Sequence, residues 1–192
     1  MTDIEKIIDE SISVKQDILK DKLLVGSIER LKDMVVAVYR CGGKVLLCGN
    51  GGSAADAQHI AAELSGRFYL DRRPLYAEAL HCNTSYLTSV SNDYGYESVF
   101  ARMLEAAGRK GDMIIGISTS GNSANVLKAF EKAREIGMNT IAFTGKSGGK
   151  MAAMSDILIN VPSDVTPRIQ EAHILIGHIV CELVEKELFG NE

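Results

Sequence analysis

The chain has 192 residues, 21 of them Lys or Arg and 25 Asp or Glu, for a formal net charge of -4. That balance excludes a broadly basic nucleic-acid footprint, and a hydrophobic content of 46% excludes a disordered polar chain. At this length one core buries roughly 70% of the unfolded surface, so Cys41, Cys48, Cys82 and Cys181 are not needed as disulfide staples, and their spacing is not that of a metal finger. The opening segment MTDIEKIIDE mixes acids with aliphatics rather than following the pattern of a signal peptide, and no apolar run approaches the ~18 residues of a membrane span. A cytoplasmic protein with no membrane or nucleic-acid partner is expected.

From Ile4 to Arg40 apolar residues recur at helical spacing (Ile4, Ile8, Ile12, then Leu24, Ile28, Leu31, Val35), which predicts one long helical arm or two helices. Their apolar area exceeds what an isolated arm should show to water, so burial between subunits is expected. Gly42 and Gly43 supply a stop, and Val45 to Cys48 reads as a buried parallel strand. The unit repeats: Met113 to Ile117 is a strand, Val126 to Ile136 a helix, Thr140 to Phe143 and Ile157 to Val161 two further strands. Pro167 to Leu188 reads as a closing helix, with proline near its first turn. Apolar strands alternating with helices predict an α/β fold: one domain over residues 1–192, with an arm at 1–41 and, at 44–188, a parallel sheet covered by helices on both faces.

Two strand-to-helix loops have the composition of anion cradles: Gly49-Asn50-Gly51-Gly52-Ser53, and Ser118-Thr119-Ser120-Gly121-Asn122-Ser123. Glycines let backbone N–H groups approach a phosphate, hydroxyls add donors, and the following helix N-terminus adds about half a positive charge. Neither loop is a dinucleotide fingerprint or carries the lysine of a P-loop, so a sugar phosphate is the expected anion. One such loop alone reads as turn and cap residues; two at strand C-termini, where open parallel sheets bind ligands, read as a site.

His59 and Glu63 stand one helical turn apart on one face. Such a pair can share a metal ion, orient a carboxylate that moves protons, or simply decorate a helix surface. His178 lies among aliphatics and is expected to point inward; it is seven residues from Glu171 and eight from Gln170, and the spacing does not choose between them. A histidine satisfied inside the core is the competing reading. Cys41, Cys48 and Cys181 read as buried small hydrophobes. Arg67, Asp93 and Arg168 are candidates to contact a polyhydroxylated ligand or to serve only the surface.

Taken together, Cys48 to Ser53, Gln58-His59 with Glu63, Gly116 to Ser123, and Arg168 to His173 resemble the sugar isomerase (SIS) fold family, and within it the phosphoheptose isomerases, from about Lys44 to Glu187. The resemblance implies a homotetramer with active sites between subunits, converting sedoheptulose 7-phosphate to a glycero-manno-heptose 7-phosphate. Asn50, Gly51, Gly52, Ser53, Ser118, Thr119, Ser120 and Ser123 match its phosphate- and sugar-binding positions, and Arg67, Asn92, Asp93 and Gln170 match residues near the substrate. Glu63 and His178 match its acid–base pair; His59, Glu63, Gln170 and His178 match a zinc site. Pro167 stands where some members carry an acid. Catalytically silent SIS proteins that bind the replication initiator are the alternative; they lack the Glu and the second His that are present here.

Overall fold

The structure, a computed structural model, describes residues 1–190. Helix α1 (Asp3–Lys20) opens with a capping box in which Thr2 and Glu5 satisfy each other's backbone N–H groups. Asp21 then ends α1 and caps α2 (Lys22–Arg40) by accepting from Leu23 and Leu24, so the expected arm is two helices. They differ in burial. Leu24, Ile28, Leu31, Val35 and Val36 of α2 are buried within this chain, whereas Ile4, Ile7, Ile8 and Ile12 of α1 are exposed, Ile4 by 71%. Only α1 and the corner at Leu19 and Leu23 therefore keep the unpartnered apolar surface expected of residues 1–41; α2 belongs to the core.

Gly42, at φ +76°, turns the chain into β1 (Val45–Gly49). There follow α3 (Gly52–Ser65), the short β2 (Ala77–Ala79), α4 (Thr84–Tyr94), a 3₁₀ turn at Tyr96–Ser98 and α5 (Val99–Ala107). After these come β3 (Met113–Ile117), α6 (Ala124–Ile136), β4 (Asn139–Thr144), a 3₁₀ turn at Lys150–Met154, β5 (Ile157–Asn160) and α7 (Thr166–Phe189). The strands form one parallel sheet in the order β2-β1-β3-β4-β5. Because the chain leaves β1 toward β2 and returns to β3 on the other side, the sheet's switch point lies between β1 and β3, where a crevice opens at the strand C-termini.

Alternate strand residues point to opposite faces. Val45, Leu47, Ile115, Ile141 and Phe143 pack beneath α2, α3 and α7, while Leu46, Ile114 and Ala142 pack beneath α4, α5 and α6. Each fully buried Leu or Ile contributes roughly 1.5–3 kcal/mol of transfer free energy. Gly116 admits α6: a Cβ there would meet the Phe130 ring at 2.5 Å. The sequence reading assigns no element between Gly66 and Gly111. β2 is three residues long, and α4 is rich in Ser and Thr with Val90 its buried residue, so neither carries a usable period.

Candidate active site

Both anion-cradle loops lie at the switch point. The first folds tightly onto α3: a Cβ on Gly49 would meet the Ser53 carbonyl oxygen at 2.6 Å, and Gly51 adopts φ +57°, which favours glycine. α3 begins at Gly52, with Gly51 as its cap and no side-chain cap bond. Ser53 is buried one residue inside. In the second loop the Ser118 and Ser123 hydroxyls lie 2.8 Å apart and those of Ser118 and Ser120 3.4 Å apart, while Ser120 Oγ accepts from Asn122 N–H. Ser123 precedes α6 without capping it, which leaves first-turn N–H groups directed at the loop. Thr119 accepts from the Gly145 N–H at 2.9 Å, and Gly121 at φ +63° lies so close to Gly148 that a Cβ would meet its carbonyl oxygen at 2.1 Å. The loop is thus held from behind by the turn after β4.

Asn50 and Asn125 exchange amide hydrogen bonds of 3.0 and 2.8 Å across the switch point, and the Tyr96 hydroxyl donates to Asn50 Oδ1. The Asn50 side chain thereby ties one cradle loop to the other, leaving backbone at 50–52 to meet a ligand.

Farther along α3, His59 and Glu63 meet His178 of α7. His59 Nε2 is 2.9 Å from His178 Nε2 and 3.2 Å from Glu63 Oε1. Ligand atoms of all three lie within 4.8 Å of one another. Two imidazole nitrogens at that distance share one proton or one cation. For a tetrahedral ion bonded to nitrogen at about 2.0–2.1 Å, neighbouring donors stand ~3.4 Å apart, so the arrangement fits a divalent metal ion with small rotations of the rings. Gly177 allows the meeting, since a Cβ there would strike Ile60 Cδ1 at 2.6 Å. The same glycine that interrupts the aliphatic pattern of α7 brings that helix against α3.

Neither candidate companion of His178 hydrogen-bonds to it among the described residues. Gln170 lies at the cradle, its amide packed where a Gly52 Cβ would be, Nε2 at 2.4 Å. Glu171 instead accepts from Ser11 of α1 and pairs with Arg168, which also donates to the Ile7 carbonyl. Arg168 is thereby spent on α1 rather than on a ligand. The core histidine is His173, fully buried with Nε2 at 3.0 Å from the Thr144 carbonyl oxygen and Nδ1 without a hydrogen-bond partner among the described residues; burial pushes its pKa down to about 4. Arg67 is exposed on the turn after α3, and Asn92 donates to Asp93 at the exposed end of α4. Cys41 is exposed, against expectation, because it caps the end of α2 instead of facing the core; Cys48 and Cys181 are buried.

Three features escaped the sequence reading. Asp56, one turn before His59, has a buried Oδ2 without a hydrogen-bond partner among the described residues, and burial, opposed by His59, pushes its carboxyl up to about 6. Asn125 and Tyr96 lock the cradle, as above. Arg72 and Glu185 form a buried ion pair behind the histidine cluster. Asp56 had a usable signal, an acid on the His59 face of the helix; the other two depend on contacts distant in sequence.

The SIS domain family model matches residues 8–145, well over half of the chain. A phosphoheptose isomerase from Clostridium acetobutylicum is 57% identical over 98% of this chain and 96% of its own length; one from Aneurinibacillus thermoaerophilus is 54% identical over 98% and 96%. Among solved structures, the phosphoheptose isomerase from Neisseria gonorrhoeae superposes with a TM-score of 0.90 at 46% identity, covering 95% of this chain and 97% of that one. The enzyme from Francisella tularensis gives 0.91 at 38% identity, covering 97% and 100%. With the helix-flanked parallel sheet, the hydroxyl cradle at its switch point and the His59–Glu63–His178 cluster in place, the chain belongs to the SIS domain family and, within it, to the phosphoheptose isomerases.

Proposed function

We propose that the protein interconverts sedoheptulose 7-phosphate and D-glycero-D-manno-heptose 7-phosphate, an aldose–ketose isomerisation that opens bacterial nucleotide-heptose synthesis. The observation that carries this reading is the arrangement along α3. Its N-terminus faces the cradle, and seven residues later, a rise of about 10 Å, His59 stands in the cluster with Glu63 and His178. An extended seven-carbon sugar phosphate has that length scale. The phosphate end binds Ser53, Ser118, Thr119, Ser120, Ser123 and backbone of Gly51 and Gly52; Arg67, Asn92, Asp93 and Gln170 contact the sugar. Held remotely, the phosphate supplies orientation rather than chemistry.

In the forward direction Glu63 takes a proton from C1 of the open-chain ketose, the C2 carbonyl becomes the enediol, and the same carboxyl returns the proton to C2. His178 accepts the O1 proton and gives one to O2, so no net proton is gained or lost. The ligand set proposed for a zinc ion is His59, Glu63 and His178, with Gln170 joining only if its amide leaves its place against Gly52. When bound, zinc would stabilise negative charge on the enediolate oxygens. Glu63 and His178 are the residues a binding-only protein has no need of, and their convergence favours the enzyme over a partner of the replication initiator.

The exposed aliphatic face of α1 supports a homotetramer with the arm buried between subunits and the sites at the interfaces. Four free cysteines suit a cytoplasmic location. Phosphorus NMR of the purified protein with sedoheptulose 7-phosphate tests the reaction: a new heptose 7-phosphate resonance is expected, and an unchanged spectrum with and without zinc would refute it. Light scattering on the same sample tests assembly, a monomer at micromolar concentration being the adverse result.

A further inference from the structure

The cluster's two helices are joined behind it by a pair of charges with no part in the chemistry. Arg72 and Glu185 meet at 2.9 Å, each side chain only 2% exposed. Glu185 lies on α7 seven residues after His178, two turns on and nearly in line. Its carboxylate also accepts from the backbone N–H groups of Phe68, Tyr69 and Leu70 at 2.6–2.9 Å. The Arg72 guanidinium donates to the carbonyl of Glu63 at 3.0 Å, to that of Leu64 at 2.9 Å and to that of Gly66 at 3.3 Å. These include last-turn carbonyls of α3, left without helical partners, so a cation caps the helix end whose dipole favours it. One of them is the carbonyl of Glu63 itself. The turn held in this way carries Arg67 and lays the Phe68 ring 5.8 Å from the His178 ring.

We infer that the buried Arg72–Glu185 pair is the positioning device of the His59–Glu63–His178 cluster: it locks the Glu63 turn of α3 to the His178 stretch of α7 and fixes Phe68 beside the imidazole. Capping alone would stabilise the end of α3; what links the pair to the cluster is that one capped carbonyl belongs to Glu63 while the partner carboxylate stands on the helix of His178. The inference rests on the isomerase and zinc reading of that cluster.

The test uses full-length Arg72→Lys and Glu185→Gln. The first keeps the charge without the fork; the second keeps an acceptor for the three loop amides without the charge. Each is assayed at a temperature where circular dichroism shows it folded. Zinc affinity, by competition with a chromophoric chelator, is expected to fall about tenfold or more in both. Turnover should fall similarly, while KM rises by less than turnover falls, because the phosphate cradle is untouched and Arg67 is the one sugar contact on the loosened turn. Parent-like zinc affinity and turnover in a folded variant would overturn the inference and leave the pair a stability element. Glu185→Asp keeps the charge but shortens the reach to Arg72 and the loop amides, and covers the case in which both variants fail to fold: a severalfold loss of zinc affinity supports the inference, and parent-like binding refutes it. A parent protein that neither binds zinc nor isomerises the sugar would instead refute the reading beneath it.

Discussion

The hydroxyl cradle and the His59–Glu63–His178 cluster share helix α3, yet they are built in opposite ways. The cradle is assembled from two short contiguous segments, and much of its donor capacity is backbone N–H set by glycine conformations and helix starts. The cluster joins side chains 119 positions apart, and it exists only because α3 and α7 touch at Gly177 and Ile60. A backbone site is set by local geometry and tolerates change around it. A side-chain site between two helices inherits every shift in their packing. The first should therefore govern binding and the second turnover.

The sharpest way to break this division is Glu63→Gln, which keeps the shape and one oxygen but cannot take the proton. Turnover is expected to drop by about 10²–10⁴ even in protein that still holds the metal, with KM little changed. Near-native kcat in steady-state assays would remove Glu63 as base.

Next comes Gly177→Val, aimed at the packing instead of the chemistry. The added Cβ strikes Ile60, so α7 must move away from α3; a stability loss of about 1–3 kcal/mol is expected, accompanied by weaker metal binding. Denaturant midpoints and metal titration on the same sample check it. A destabilised variant that binds metal as the parent does would show that the cluster is less dependent on helix packing than the geometry implies.

On the cradle side, Ser120→Ala and Ser123→Ala each remove one hydroxyl from an anion. Each is expected to raise KM by roughly tenfold, the value of a hydrogen bond to a charged group, with kcat nearly constant because the grip acts on ground and transition states alike. Unchanged KM in both would take this loop out of the phosphate site.

A last prediction is a pH dependence of stability from the buried histidine of α7, where His173 meets the Thr144 carbonyl. Burial holds the folded His173 pKa down, at about 4, whereas the unfolded chain titrates near ~6.5. Between those values the unfolded chain carries a proton that the folded one refuses. Stability is therefore complete above about pH 6.5 and declines as pH falls toward 4, by on the order of 1 kcal/mol per unit. His173→Gln should flatten that slope in urea midpoints measured at pH 5 and pH 7; identical slopes would assign the dependence to other groups.

The features legible in the order of residues are those whose cause is local. Apolar runs at Val45, Met113 and Ile141 are strands buried on both faces, the edge run at Ile157 buries alternate residues, and their alternation with helices imposes a parallel sheet. Glycine and serine after two of these strands mark the cradle, since backbone freedom and hydroxyl donors reside in the residues themselves. The division of the arm, the placement of His173 in the core and His178 in the cluster, and the diversion of Arg168 and Glu171 to α1 came only from tertiary structure. Helical spacing says which residues share a face but not which neighbour that face meets. His173 and His178 stand on similar aliphatic stretches of one helix; the first lies under the Thr144 carbonyl and the second beside His59, a difference decided by which strand end and which helix pack against each turn.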